Sequence, residues 1–110
     1  MRKIVTGSQN LTKLDAANMM IATATDIKSC DGMIITVDKW VQMQDTDTNA
    51  YVMVIRDTDG DYYATISNVF QNAFLTVADQ MGDMTGVSVQ VIKATSKQGR
   101  NFFSLKLVSE

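Results

Sequence analysis

Ser67-Asn68-Val69-Phe70-Gln71-Asn72-Ala73-Phe74-Leu75-Thr76-Val77-Ala78-Asp79-Gln80-Met81-Gly82 is the stretch on which the fold turns. Phe70, Ala73, Phe74, Val77, Ala78 and Met81 recur at helical spacing and form one apolar face. Ser67 or Asn68 can cap the start, and Gly82 can end the helix. What flanks this helix decides the architecture.

Upstream, Met33 to Met43 is long, β-branched and roughly alternating, which predicts a long strand. Asp45-Thr46-Asp47-Thr48-Asn49 is a polar turn and Tyr51 to Arg56 a second strand. Asp57-Thr58-Asp59-Gly60 is a hairpin turn, since Asp and Gly tolerate a left-handed backbone, and Asp61 to Ser67 is a third strand. Downstream, Val87 to Thr95 alternates through Val87, Val89 and Val91. The loop Ser96-Lys97-Gln98-Gly99-Arg100 then leads to a last strand, Asn101 to Val108. Three meandering strands, a helix and a hairpin are the element order of an OB-fold, a five-stranded, partly open Greek-key barrel. The first strand of such a barrel is long and bent because it serves two sheets, which suits the stretch from Met33.

Ahead of the barrel, residues 10–22 read as a short helix. Asn10 is a candidate cap, Thr12 and Asp15 stand at capping-box spacing, and Leu11, Leu14, Ala17 and Ile21 share a stripe. The expected class is mainly β (α+β). Residues 1–30 form an N-terminal helical extension packed on the same domain, and residues 31–110 form the five-stranded OB-fold barrel, with its helix between strands three and four.

Composition narrows the chemistry. The 110 residues include no histidine and one cysteine, Cys30. Serine–histidine and cysteine–histidine catalysis and histidine-based zinc sites are therefore excluded, as is an internal disulfide. No phosphate-binding glycine motif occurs. No apolar run approaches the ~20 residues of a membrane span. The expectation is a non-enzymatic protein without cofactor, metal or membrane, at home in a reducing cytoplasm (that of the host, if the protein is viral). Asp45-x-Asp47-x-Asn49 imitates the start of a calcium loop. Ala50 stands where that loop needs Gly, and Arg56 where it needs a bidentate Glu, so the stretch reads as a turn.

Charge is uneven along the chain. The net charge is −2, yet residues 40–83 carry seven aspartates against Arg56, while residues 84–110 carry Lys93, Lys97, Arg100 and Lys106 against Glu110. Phe103, Leu105 and Leu107 fall on one face of the last strand. Phe102, Ser104, Lys106 and Val108 fall on the other, which places an aromatic and a lysine away from the core. An OB barrel binds oligonucleotides on the face of its second and third strands and through flanking loops. Aromatics there stack on bases while Lys and Arg follow the phosphates. The candidate nucleic-acid-binding residues are Trp40, Tyr51, Arg56, Tyr63, Lys93, Lys97, Arg100, Phe102 and Lys106. Trp40, Phe102 and one of the adjacent pair Tyr62 and Tyr63 suit a core position as well as a surface one.

Two stretches carry a family resemblance. Lys97-Gln98-Gly99-Arg100-Asn101-Phe102-Phe103-Ser104-Leu105-Lys106-Leu107-Val108 has a Lys-x-Gly-Arg-x-Phe shape, and Asp59-Gly60-Asp61-Tyr62-Tyr63-Ala64-Thr65-Ile66-Ser67 precedes the helix. Together they resemble small single-stranded DNA-binding proteins of bacteriophage replication modules, over about residues 31–108. The resemblance implies sequence-tolerant coating of single strands in replication or recombination, with replication proteins as candidate partners. Lys97, Arg100 and Phe102 sit on the matched part. The competing expectation is a protein-interaction module or inhibitor whose acidic face mimics nucleic acid. The eight methionines, Met19-Met20 and Met81/Met84 among them, suit flexible core filler as well as a candidate homo-oligomer contact.

Overall fold

The computed structural model describes residues 2–82 and 84–109. Its spine is the long strand the sequence predicts, β3 (Ile34–Asp45), to which every other part of the sheet is joined. Along one edge, β3 pairs antiparallel first with β6 (Ser88–Thr95), through Ile34, Ile35 and Thr36. It then pairs with β1 (Arg2–Gly7), through residues 41–45. Along the other edge it pairs with β4 (Tyr51–Asp57). Strand β5 (Tyr62–Thr65) lies beyond β4, and the two-residue β2 (Thr25–Asp26) runs parallel to β5. Strand β7 (Asn101–Ser109) closes the opposite side against β6. Among the described residues no ladder joins β5 to β7, so the sheet curls into a half-barrel.

The curl originates at Asp38. The β3–β4 register shifts between Val37 and Lys39, so Asp38 is an extra residue in β3. A bulge bends its strand and resets which face each later side chain occupies. Ile35, Val37 and Trp40 therefore point to the same side although their spacing is not uniformly even. There they meet Met53 and Ile55 of β4, Tyr63 of β5, and Val89 and Val91 of β6.

Helix α2 (Asn68–Met81) seals this core where the sequence periodicity places it. Ser67 Oγ accepts from the Phe70 N–H, and Gly82 forms the C-cap. Phe70 and Phe74 are fully buried, and Phe74 meets the Trp40 ring edge-to-face at a centroid distance of 5.2 Å. Buried Gln71 ties the helix to three strands. Its Oε1 accepts from Gln42 Nε2 (2.9 Å), and its Nε2 donates to the carbonyls of Tyr51 (3.0 Å) and Thr65 (3.3 Å).

The opposite face of the same sheet carries a second, smaller core, built from Val41, Met43, Val52 and Val54. Helix α1 (Lys13–Ile21) covers it with Met19, and Leu11 packs beside. The predicted capping box is present: Thr12 Oγ1 accepts from the Asp15 N–H, and Asp15 Oδ2 accepts from the Thr12 N–H.

Three expectations need correction. The five predicted strands are present as β3 to β7, but β1 and β2 add to them. The N-terminal segment is thus a strand, a helix, a further short strand and a 3-10 turn (Ile27–Ser29), not a helix alone. Strand β1 escaped the sequence because Arg2 to Thr6 are exposed throughout, so no buried face imposes alternation. Helix α1 is also rotated from its expected orientation: Leu14 (71% exposed) and Ile21 (82%) face outward, and Ala16 and Met19 inward. The burial of Met19 and the ion pairs of Asp15 described below lie on the same, inward side of the helix.

The Phe74–Trp40 contact joins α2 to the bulged strand at the centre of the core. Phe74→Ala is expected to cost about 3–5 kcal/mol, read as a lower urea midpoint with an unchanged slope.

Candidate nucleic-acid interface

The sheet offers two outward-facing regions, and they differ in how their cations are used. The first is the face of β3, β4 and β5 under α1. Lys39 and Arg56 lie opposite each other in the β3–β4 ladder, beside Val41 and Val54. Lys39 Nζ is paired with the Asp15 carboxylate. Arg56 donates from Nε (3.0 Å) and Nη2 (2.6 Å) to Asp38 Oδ2, and Nη1 lies 3.4 Å from Asp15 Oδ1. The Lys39 hydrogen bond, then those from Thr12, hold the Asp15 carboxyl far below the ordinary carboxylate range. Asp38 likewise holds the Arg56 guanidinium charged, raising its pKa. This is the face on which OB-folds carry oligonucleotides. Here the chain's own helix and two of its aspartates occupy it.

The second region is the β6–β7 hairpin. In its turn Ser96 N–H donates to the Arg100 carbonyl (2.8 Å), Gly99 N–H to the Ser96 carbonyl (2.9 Å), and Arg100 N–H to Ser96 Oγ (3.2 Å). Gly99 adopts a φ of 81°, which glycine reaches without strain. These bonds fix the turn and project Lys97 and Arg100 into solvent. Along β7 the predicted alternation holds. Phe103 and Leu105 pack against the core, while Phe102 and Lys106 share the other face with Ala94 and Gln90 of β6. Lys93, Lys97, Arg100 and Lys106 are exposed, and none of their side chains makes an ion pair among the described residues.

The predicted site residues thus separate. Lys93, Lys97, Arg100, Phe102 and Lys106 come together on one hairpin. Tyr51 is exposed, but at the start of β4, paired across from Gln44. Trp40 and Tyr63 (each 5% exposed) lie in the core rather than on the outer face of the sheet. The bulge at Asp38 turns Trp40 inward. The Tyr62–Tyr63 pair splits as alternation requires, with Tyr62 toward α1 and Tyr63 inward, its hydroxyl donating to Asp57 (3.4 Å). Burial, then the charge of Asp57, raises the Tyr63 pKa. Arg56 is committed to Asp38 and Asp15. One cation that sequence reasoning passes over joins the hairpin group: Lys28, on the 3-10 turn, shares a groove with Lys93, Phe102 and Phe103. Nothing local in the sequence links Lys28 to a strand that starts 73 positions later.

The acidic turns between the strands are built from their own carboxylates. Asp45 Oδ1 accepts from the Asp47 N–H, the main cause of its lowered pKa, and Asp57 Oδ1 accepts from the N–H groups of Asp59 and Asp61. Among the described residues no three acidic or cysteine side chains gather as a metal site, and no helix is long and apolar enough to cross a membrane.

Comparison with known proteins adds one match. A family model described as phage single-stranded DNA-binding protein matches residues 7–108, from the end of β1 through α1 and β2 to almost all of β7. No curated protein and no solved structure matches the chain.

The Asp15 network makes a pH-dependent contribution of known sign. A carboxyl whose pKa is lowered by folding stabilises the folded state above about pH 4, and that contribution fades as pH falls toward the lowered value. Asp15→Asn is therefore expected to lower the melting temperature at pH 7. The gap from wild type should narrow steadily between about pH 4 and pH 2, as followed by circular dichroism.

Proposed function

The chain belongs to the family of phage single-stranded DNA-binding proteins, and from that premise we propose that it coats unpaired strands through its β6–β7 hairpin. The observation that carries this reading is the contrast between two sets of cations. Lys39 and Arg56 are neutralised by Asp15 and Asp38, whereas Lys93, Lys97, Arg100 and Lys106 have no ion-pair partner among the described residues and share one hairpin with Phe102. Free ammonium and guanidinium groups release counterions when they meet phosphates, and this is the main source of sequence-independent affinity. An aromatic ring adds stacking that every base can supply. Ring faces and phosphates are common to all nucleotides, so binding is sequence-tolerant. Tyr51, exposed at the far end of the sheet, is the remaining aromatic that a longer strand would reach.

In this reading the protein protects strands during phage replication or recombination in the host cytoplasm, without catalysis. Residues 1–30 form part of the same domain as the OB-like half-barrel of residues 31–110. Replication proteins are its candidate partners, and a homo-oligomer along the strand is the form that coating favours.

Charge reversal tests the site. Lys97→Glu together with Arg100→Glu is expected to weaken oligo-dT binding roughly tenfold or more, and to lower the salt slope by about 0.7 for each phosphate that is no longer neutralised. Arg56→Ala is expected to lower the melting temperature and leave the affinity unchanged. Fluorescence anisotropy across a salt series reads the first pair, and thermal melting the last. Undiminished binding by the double variant would take the DNA-binding surface off the hairpin tip, whereas no binding by the wild-type protein would favour a protein partner at the aspartate-bearing turns.

A further inference from the structure

Resting on that reading, the structure deepens it at one place. A groove of about 560 Å³ lies between the first turn of α2 and the β6–β7 hairpin. Its volume falls within the ~300–1,000 Å³ typical of pockets that hold small ligands. Val69 and Phe103 supply apolar wall on the side of Lys93, Phe102 borders the groove from the other face of β7, and Lys28 and Lys93 supply charge.

The positions of the two lysines are fixed by their main chains. Ile27, next to Lys28, is fully buried, and the Lys28 N–H donates to Asp26 Oδ1 (3.0 Å). The Lys93 N–H donates to Asp31 Oδ1 (3.0 Å). The two nearby carboxylates are thus engaged by backbone amides, and neither lysine side chain makes an ion pair among the described residues. Both ammonium groups remain available to a ligand. Val69 is exposed on α2, whose inner face is supplied by Phe70 and Phe74, so the core does not use it.

Two available cations beside an aromatic and aliphatic wall suit a ligand that has an anion and a flat apolar ring a few bonds apart. A nucleotide has that composition. We propose that this groove holds one nucleotide of the bound strand, its phosphate between Lys28 and Lys93 and its base against Val69 and Phe103, the residue paired with Lys93 across the β6–β7 ladder. The strand then runs from the hairpin tip at Lys97 and Arg100 down into the groove. Lys28, far from the hairpin in sequence, becomes a DNA contact.

The test uses the full chain and a fluorescent oligo-dT probe across a salt series. Lys28→Glu and Val69→Glu alter exposed side chains that the core does not need, so both variants should melt like wild type. Each is expected to weaken binding roughly tenfold, and Lys28→Glu should also lower the salt slope by about 0.7. A strand carrying 5-bromodeoxyuridine should photo-crosslink to the peptide holding Phe102 and Phe103 in wild type and lose that crosslink in Val69→Glu. If either variant keeps wild-type affinity while Lys97→Glu with Arg100→Glu loses it, the groove proposal fails and the hairpin reading stands. If the wild-type protein does not bind oligo-dT, both fail together.

Discussion

A single extra residue in β3, Asp38, governs the rest of the molecule. Without the bulge, strict alternation would put Trp40 on the face opposite Val37 and no continuous core could form on either side. With it, the first half of β3 pairs with β6, the second with β1 and β4, and both halves aim apolar side chains at α2. Other bonds hold the bulge in place. The Asp38 carbonyl accepts from Asn10 Nδ2 and Thr85 Oγ1, and its carboxylate takes two bonds from Arg56. Bend, core and charge pairing therefore have a common origin.

The same residue helps explain how an acidic chain can bind a polyanion. A net charge of −2 is a sum, and a phosphate responds to what lies within a screening length of about 8–10 Å. The molecule extends 41 Å along its longest axis, several such lengths, so the sum says little about one hairpin. Acids are engaged locally: Asp15 and Asp38 by Lys39 and Arg56, Asp45 and Asp57 by turn amides, Asp26 and Asp31 by the amides of Lys28 and Lys93. The side chains that this leaves without an ion pair along β6 and β7, among the described residues, are the lysines and Arg100.

The parts legible in the sequence were those whose pattern is set by near neighbours. Helix α2 carries an uninterrupted apolar periodicity and its own caps, and β7 alternates without a bulge from Asn101 to Leu107, so both could be read. The hairpin cations were legible as well, because a glycine turn between two strands leaves its polar side chains in water. The illegible parts depend on partners distant in the chain. The inward turn of Trp40 follows from a register shift against β4, which no single-strand pattern announces. The rotation of α1 follows from Met19 meeting the second core and from Asp15 meeting Lys39 and Arg56, 24 and 41 positions away. Its Leu14–Ala17–Ile21 stripe points to solvent because the other side of the helix both buries Ala16 and Met19 and brings Asp15 to Lys39 and Arg56.

Position on the fold, more than residue type, divides stability from binding in this chain. Trp40, Tyr63 and Phe102 are all aromatic residues on strands, and by residue type alone each is an equal candidate for a stacking platform. The bulge consigns Trp40 to the core, and pairing across from Ile55 does the same for Tyr63. Phe102 lies outside the core, across from Ala94, a residue too small to cover its ring. The same distinction holds among the cations. Arg56 is better placed than Lys97 to meet a ligand on the strand-two face of an OB barrel, yet it is already engaged by two carboxylates. Lys97 sits at a hairpin tip where the fold brings no described carboxylate into ion-pair range. A binding surface built this way depends on where the fold sets its cations apart from carboxylate side chains, at the hairpin tip and in the groove beside it.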